Sequence, residues 1–387
     1  MKILVLTKRQ YMGKDLLDDR FGRFRELPLG LAELGHEVLG IACSYRRRAE
    51  GVIFDSAPSQ NGIVTWHSIN AANKLTPRLG RFAGRALKVA NDFQPDLIWS
   101  CSDAYHAICG AWLARRLQTR CVIDLYDNFE AFRASQLPGI VSLLRHAVRE
   151  ADGVTFFSRR LADYVVQTYP RAKPSAVIEN GVRKDLFQPQ NRDVCRHRLD
   201  LPKNAQIIGT AGALETRRGI EVLFRAFERL AHEYGDLHLA LAGPRAARLR
   251  IPQGPKVHDF KILPHEEVPA FIGALDLAIV CYRLSAQGEF SFPQKAYEIM
   301  ACGVPLIAAA VGTMNELCAN NPGCLYRPED SGSLAESVRR QLKNRITIDA
   351  EIPSWTDSAQ RLESYFLEVI GAHNKSLEKL SPTETLR

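Results

Sequence analysis

The sequence predicts an α/β protein made of two doubly wound halves. Three observations lead there. Short apolar runs alternate with stretches of helical spacing from residue 2 to residue 179. A polar stretch containing Pro189 and Pro202 follows over 183–203 and reads as a linker. The strand–helix alternation then restarts. Repeated β-α-β order implies a parallel sheet with helices on both faces. The 387 residues suggest two or three domains, at roughly 150 residues each.

In the first half, 2–7 is a short apolar run and reads as a buried first strand. Residues 24–34 have helical spacing and stop at Gly35, a natural C-cap. Strands follow at 37–42 and 64–67, then a helix at 77–93 with Arg78, Arg81, Arg85 and Lys88 on one side. The alternation continues with strand 96–101, helix 104–117, strand 121–125, helix 140–150, strand 153–158, helix 160–168 and strand 176–179. After the linker come strand 206–211, helix 219–234, strand 237–242, helix 266–275, strand 277–282, helix 294–302, strand 305–310, and helices 331–342 and 355–372. The tail, 373–387, is polar and reads as frayed.

Composition narrows the class. The chain is 46% hydrophobic and 24% charged, ordinary for a globular enzyme and unlike a disordered or collagen-like chain. The longest nearly apolar run, 299–311, is broken by Gly303 and Pro305; a membrane span needs roughly 18 or more apolar residues. The apolar start is too short for a signal peptide. Nine cysteines occur without a C-x-x-C pair, which reads as free-thiol usage in a reducing cytoplasm. The net charge is +8. Residues 1–190 hold 27 Lys+Arg and 19 Asp+Glu, whereas 191–387 hold 24 of each. The whole excess therefore lies in the first half, which suggests an anionic partner. The charge is not interleaved with an aromatic platform, so nucleic acid is disfavoured.

The segment 292–307 carries the clearest chemistry. It follows a strand, turns at Pro293, opens a helix and ends at Gly303. Ligands in open parallel sheets sit outside the carboxyl ends of the strands, near helix N-termini. Glu298 lies one turn into that helix, where a carboxylate can accept two hydrogen bonds from vicinal hydroxyls such as those of a ribose.

This stretch resembles the nucleotide-sugar site of the GT-B glycosyltransferases, family 4 in particular. One branch has the pattern P-x-K-x-x-E-x-M-A-x-G-x-P. Pro293, Lys295, Glu298, Met300, Ala301, Gly303 and Pro305 fill its seven fixed positions. The plain alternative is an amphipathic helix with a surface Lys and Glu. Gly212 to Gly219 resembles the family loop G-R-L-x-x-x-K-G, a phosphate cradle in which Arg218 replaces the lysine and Ala213 the first arginine. Arg217 stands beside it, and two adjacent arginines also read as a solvated face. Gly243 matches the strand-glycine after that loop. Gly312 and Thr313 match the glycine-rich turn before Glu316. In the first half, Ala151-Asp152-Gly153-Val154, Ser158 and Ile178 to Val182 follow A-D-x-V…S…I-x-N-G-V.

Departures matter too. The family's first glutamate precedes the second by eight residues, where this chain has Phe290; Glu289 is one residue off register. Tyr126 replaces the family's histidine before Asp127. The loop from Lys8 to Arg25 is long and basic, with Gly13, Gly22, Arg20 and Arg23, where the family has a glycine-rich loop facing the cleft.

The resemblance implies an α/β GT-B fold, two Rossmann-like domains facing across a cleft. It implies residues 1–185 as the acceptor-side domain, 186–355 as the nucleotide-sugar domain, and a C-terminal helix near 356–372 crossing back to the first. It implies retaining transfer of a hexose from a UDP- or GDP-type sugar to an acceptor hydroxyl, in cell-surface polysaccharide or glycolipid synthesis. Arg218, Lys295 and Asp127 are the catalytic candidates. Gly212, Arg217, Arg218, Gly243, Glu289, Lys295, Glu298, Gly312 and Thr313 are the donor-side candidates, and Arg20, Gly22, Arg23 and Tyr126 the acceptor-side ones. No cofactor is expected beyond the nucleotide-sugar donor. The acceptor would be a glycan or lipid-linked, and the basic helix 77–93 raises contact with an anionic membrane.

Other chemistries lack their motifs. No D-x-D, H-x-x-x-H or H-E-x-x-H occurs, so no metal site is expected. No G-x-S-x-G, G-x-G-x-x-G or Walker loop occurs. A GT-B sugar-nucleotide epimerase and a non-catalytic GT-B nucleotide-binding subunit stay open, the latter because Ala213, Phe290 and Tyr126 replace functional side chains.

Overall fold

The computed structural model describes residues 1–11, 14–57, 61–71, 79–169 and 173–378. Contacts divide the chain into two units, Met1–Gly181 with Trp355–Arg387, and Val182–Ser354.

The first unit begins with β1 (Lys2–Lys8), a small hairpin of β2 (Gln10–Tyr11) and β3 (Lys14–Asp15), and α1 (Arg23–Glu33). It continues through β4 (Glu37–Ser44), β5 (Gly51–Ser56), β6 (Ile63–Asn70), α2 (Leu79–Phe93), β7 (Leu97–Ser100), α3 (Ala104–Leu117) and β8 (Arg120–Leu125). Then come α4 (Ile140–Glu150), β9 (Gly153–Phe156), α5 (Arg159–Thr168) and β10 (Ser175–Val177). One sheet runs β10-β9-β8-β7-β1-β4-β6-β5. Its pairs are parallel except β5–β6. β1 is central, and Ile3, Leu4, Val5 and Leu6 have no exposed surface. The chain leaves β1 toward β4 and later returns on its other side as β7, so the carboxyl ends of β1 and β7 form a topological switch point.

β5 has no counterpart in the sequence reading. It is an edge strand whose Val52 and Phe54 remain 52% and 69% exposed, so it lacks the alternation of a half-buried strand. Strand 153–158 is shorter than expected because Ser158 caps α5, accepting a hydrogen bond from Leu161 N. Helix α2 covers the sheet with Phe82, Ala86 and Ala90, while Arg81 and Lys88 face outward. Arg78 of the basic helix 77–93 lies outside the described residues.

A buried ion pair fastens this unit. Arg23 on α1 and Asp124 on β8 are both fully buried. Arg23 Nε donates to Asp124 Oδ2 at 3.0 Å and Nη2 to Oδ1 at 2.7 Å. Its Nη1 donates to Ile178 O at 2.8 Å and Asn180 Oδ1 at 3.0 Å. Thr155 Oγ1 donates to Asp124 Oδ1 at 2.6 Å. The C-terminal helix, Trp355–Glu378, packs on the same unit and runs past residue 372, where the sequence pattern ended. Gly30 on α1 lets it approach, since a Cβ there would lie 2.5 Å from Ala359 Cβ. Tyr365 Oη accepts from Val154 N at 2.9 Å and donates to Pro174 O at 2.8 Å.

The second unit contains α6 (Arg192–Arg198), β11 (Gln206–Ala211), α7 (Glu221–Ala231), β12 (Leu237–Ala242), β13 (Val257–Asp259), α8 (Val268–Gly273) and β14 (Leu277–Val280). It continues with α9 (Ala286–Phe290), α10 (Gln294–Ala301), β15 (Leu306–Ala309), α11 (Thr313–Leu317), β16 (Leu325–Tyr326) and α12 (Ser331–Lys343). Its parallel sheet runs β13-β12-β11-β14-β15-β16. The stretch 183–203 is not a bare linker. Asn191 caps α6, and Arg196 is buried with hydrogen bonds to Asp276 Oδ2 at 2.7 Å and Ala274 O at 2.9 Å. All nine cysteines are free and buried.

Removing the Arg23 guanidinium strands a charge. Arg23→Met is expected to destabilise the first unit by about 3–5 kcal/mol, because Asp124 is left buried and uncompensated. Urea unfolding followed by tryptophan fluorescence reads this directly, since Trp66, Trp99, Trp112 and Trp355 all lie in that unit.

Candidate functional site

In the second unit, functional side chains gather at the carboxyl ends of β11, β14 and β15. β11 ends at Ala211, and Gly212 turns the chain with φ 111°. Gly243, with φ 134°, follows β12 and lies against Gly212; a Cβ on Gly243 would overlap Gly212 O. Gly212 N donates to Ala242 O at 2.9 Å, and Leu214 N to Pro244 O at 2.8 Å. The two glycines thus permit a close pair of turns that a side chain would separate.

Lys295, in the first turn of α10, reaches this turn. A Cβ on Gly212 would sit 3.3 Å from Lys295 Nζ. Burial, then the nearby Arg218 charge, pushes the Lys295 ammonium down to about 8, against the opposite pull of Cys281 and Glu298. Arg218 Nε is buried without a hydrogen-bond partner, and the nearest carboxylate, Glu215, is 3.7 Å away. Two cations held together, one with an unanswered buried donor, describe a place for an anion. Arg217 is different. Its side chain is 64% exposed and forms an ion pair with Glu215, so it belongs to the solvated face.

Glu298 lies one turn further along α10, half-buried, and accepts from Gln294 Nε2 at 3.4 Å. After β15, Gly312 takes φ 56°. A Cβ on it would lie 2.5 Å from Glu289 O and 2.7 Å from Gly288 O, so the α9 turn packs directly on the Gly312 turn. Glu289 therefore borders Gly312 through its backbone. Thr313 Oγ1 is buried without a hydrogen-bond partner.

In the first unit, polar groups meet at the switch point. Lys8 ends β1, and its Nζ donates to Ser102 O at 3.0 Å and Tyr126 Oη at 3.2 Å. It also stands over the Phe132 ring at 5.2 Å. Ser102 holds the uncommon φ of 84°, and its Oγ accepts from Lys8 N at 2.9 Å. Asp103 caps α3, accepting from His106 N at 3.0 Å and from Tyr45 Oη at 2.9 Å. Burial works against the Asp103 charge, but His106 and Lys8 outweigh it and hold its carboxyl well below the usual range. Burial pushes the half-buried Asp127 up to about 6, partly offset by the Asn128 N–H and Lys8. Burial lowers the Lys8 ammonium despite Asp103 and Asp127.

Tyr126 and Asp127 thus share one polar edge with Lys8. Gly22 caps α1 with φ 95°, its carbonyl accepting from Arg25 N at 2.8 Å, and Arg20 is exposed. Arg23 is a correction. It has no exposed surface and its guanidinium is engaged by Asp124, Ile178 and Asn180, so it cannot meet an acceptor. Gly13 lies outside the described residues. Sequence reasoning missed Lys8 and Asp103. The available signals were a lysine ending an otherwise apolar central strand and a Ser-Asp pair opening a helix. Among the described residues, no group of three or more His, Cys, Asp or Glu could hold a metal ion, and no helix is long and apolar enough to cross a membrane.

Comparison with known proteins gives concordant findings. A family described as glycosyl transferases group 1 matches residues 205–344, and one described as glycosyltransferase family 4 matches 23–186. A D-inositol 3-phosphate glycosyltransferase of Catenulispora acidiphila is 30% identical over 224 residues, 52% of each chain. A second, from Nocardioides, is 28% identical over 229 residues, 50% of this chain and 49% of the other. The chain spans about half the length of these curated relatives. Among solved structures, sucrose-phosphate synthase from Thermosynechococcus elongatus is similar with TM-score 0.71 and 19% identity, covering 98% of this chain and 99% of that one. HepE of Anabaena, solved with UDP, gives TM-score 0.67 and 19% identity over the same shares. These structures share the GT-B fold.

The packing of α9 on the Gly312 turn gives a direct check. Gly312→Ala adds a Cβ against two backbone carbonyls at positive φ, and is expected to lower Tm by several degrees, about 2 °C or more per kcal/mol lost. Differential scanning calorimetry reads the shift.

Proposed function

Because the chain belongs to the group 1, family 4 glycosyltransferases, we propose that its second unit binds a nucleoside-diphosphate sugar of the UDP or GDP type. The first unit takes the acceptor, and the sugar passes to an acceptor hydroxyl with retention at the anomeric carbon. The observation that carries this reading is Lys295 Nζ reaching the Gly212 turn, with Arg218 close enough for its charge to lower the Lys295 ammonium. Solved relatives in fold support the donor class, since HepE of Anabaena is solved with UDP and with UDP-glucose. The curated relatives are named for transfer to inositol phosphate.

The chemistry follows from charge. As the bond from sugar to diphosphate breaks, negative charge grows on the leaving phosphate. Lys295 and Arg218 lie ready to stabilise it without reorganising. Gly212 lets the backbone approach the diphosphate, and the unpartnered Thr313 hydroxyl can donate to it or to the sugar. Glu298 holds the ribose hydroxyls. In the first unit Asp127, kept near Lys8 and Tyr126, accepts a hydrogen bond from an acceptor hydroxyl, and on transfer that hydroxyl's proton goes to the departing phosphate oxygen. The scheme uses no metal, because side-chain cations stand where the diphosphate charge would lie. We place the enzyme in a cytoplasm, in cell-surface polysaccharide or glycolipid synthesis. Contact with an anionic membrane would rest on charge alone, because the apolar stripe of α2 is covered by the sheet.

Thermal shifts against UDP, GDP, ADP, CMP and dTDP, with their sugars, test the donor site. One nucleotide family is expected to raise Tm, and Glu298→Ala to abolish the shift; no shift with any of them defeats the reading. A second outcome concerns pH. Free Lys295 loses its proton near pH 8, whereas a diphosphate favours the charged form. Binding of the diphosphate should therefore take up a proton near pH 8 and weaken as pH rises beyond it. Calorimetry in buffers of different ionisation enthalpy measures the uptake, and Lys295→Met removes it with about a tenfold or greater loss of affinity.

A further inference from the structure

Two histidines meet at the outer edge of the second unit's sheet. β13 is an edge strand of three residues and pairs with β12 alone. His238 follows Leu237 at the start of β12, and His258 is the middle residue of β13. His238 Nδ1 lies 2.8 Å from His258 Nε2, and both rings are half-buried. A bond between two ring nitrogens needs one N–H and one bare nitrogen. The pair can therefore take up one proton and keep its bond, because the donor ring is charged through its far nitrogen. His238 suits that role, since its Nε2 is 3.5 Å from Asp236 Oδ1. A second proton leaves two N–H groups pointing at each other, and attraction turns into repulsion.

The other charges around the pair are Lys256 before β13, Arg196 on α6 and Asp200 after it. Burial lowers the His238 imidazolium; Asp236 opposes this, while Lys256 and Arg196 add to it. Burial and then His238 lower His258, against the pull of Asp200. Both shifts have one sign. The stability they carry is full above the ordinary histidine value of about 6.5 and is lost as pH falls below it, because the opened strand takes up protons that the closed one refuses. β13 also frames the turns that hold Lys295. Leu239 N donates to Lys256 O and Phe260 N to Leu241 O, both at 2.9 Å. Asp259, next to His258, accepts from Arg245 Nη2 at 2.7 Å, and Arg245 is bridged to Leu214 in the Gly212–Gly219 loop. Lys261, two residues after Asp259, accepts through its carbonyl from Gly243 N at 2.5 Å.

We propose that His238 and His258 form a proton-operated latch: mild acid releases β13 from β12, and that release loosens the Gly212 and Gly243 turns. The consequence for function rests on the donor reading of those turns. On that reading the latch weakens nucleotide binding in acid, opposite in direction to the effect of Lys295, whose proton favours the diphosphate.

Hydrogen exchange of the full chain, read by mass spectrometry at about pH 7.5 and about pH 5.5 and corrected for the intrinsic rate, tests it. In the natural chain the segments 255–261 and 210–216 are expected to lose protection by about tenfold or more in acid. His258→Gln keeps an amide that can bond His238 and takes up no proton, so its protection should hold; circular dichroism shows that it folds. Nitrogen NMR of the histidine-labelled natural chain, which needs no variant, is expected to show the pair taking up one proton where free histidine titrates. Unchanged protection in acid, an equal loss in His258→Gln, or independent titration of both rings at the ordinary value overturns the latch. Loss confined to 255–261 overturns its link to the turns. Calorimetry with UDP and GDP on the same samples keeps the donor reading apart. An exchange response without nucleotide binding at either pH sinks the donor reading and leaves the latch, whereas nucleotide binding without an exchange response sinks the latch alone.

Discussion

The salt bridge between Arg23 and Asp124 sets the geometry of the first unit. Both groups are fully removed from water, which is expensive unless every hydrogen-bonding position is answered. Here the guanidinium is answered by Asp124, Ile178 O and Asn180, and the carboxylate also by Thr155. One cluster therefore fixes α1, the ends of β8 and β9, and the chain beyond β10 against one another. Tyr126 and Asp127 follow Asp124 by two and three residues, so the position of the polar edge is inherited from this interior pair. The second unit repeats the device, where Asp276 ahead of β14 receives Arg196, Arg192, Arg345 and the Ile207 N–H.

The parts of the fold that could be read from the sequence are those where one physical demand acts alone. β1 is a continuous apolar run because both its faces are covered, and it reads as such. The segment from Pro293 to Pro305 packs a turn, a helix and a glycine stop into thirteen residues, and each residue type has a local reason to be there. Legibility fails where two demands compete. β5 is held by backbone pairing to β6 while its apolar Val52 and Phe54 stay in water and its buried side chain is Asp55, so no hydropathy pattern marks it. α6 looks polar because its arginines are bound to carboxylate and carbonyl groups distant in sequence.

The same competition explains the charge. A basic half reads as a basic surface, yet Arg9, Arg23 and Arg25 are interior residues matched to carboxylates. Counting charges cannot separate an arginine that fastens a fold from one that faces a ligand. Geometry can, as the neighbours Arg217 and Arg218 show: both lie near Glu215, but Arg217 is hydrogen-bonded to it with a side chain 64% exposed, whereas Arg218 Nε is buried without a hydrogen-bond partner and its charge lowers the Lys295 ammonium.

The free, buried cysteines have a consequence for how motion in this protein can be followed. Cys43, Cys101, Cys109 and Cys121 belong to the first unit, and Cys195, Cys281, Cys302, Cys318 and Cys324 to the second. Burial raises the thiols of Cys43, Cys101, Cys109, Cys302 and Cys318, so these are poor nucleophiles while the protein is folded. An alkylating reagent then modifies a unit chiefly when that unit opens. The molecule accordingly carries two internal clocks, one ticking in adducts of four and the other in adducts of five. A mass spectrum of the intact chain would read them side by side.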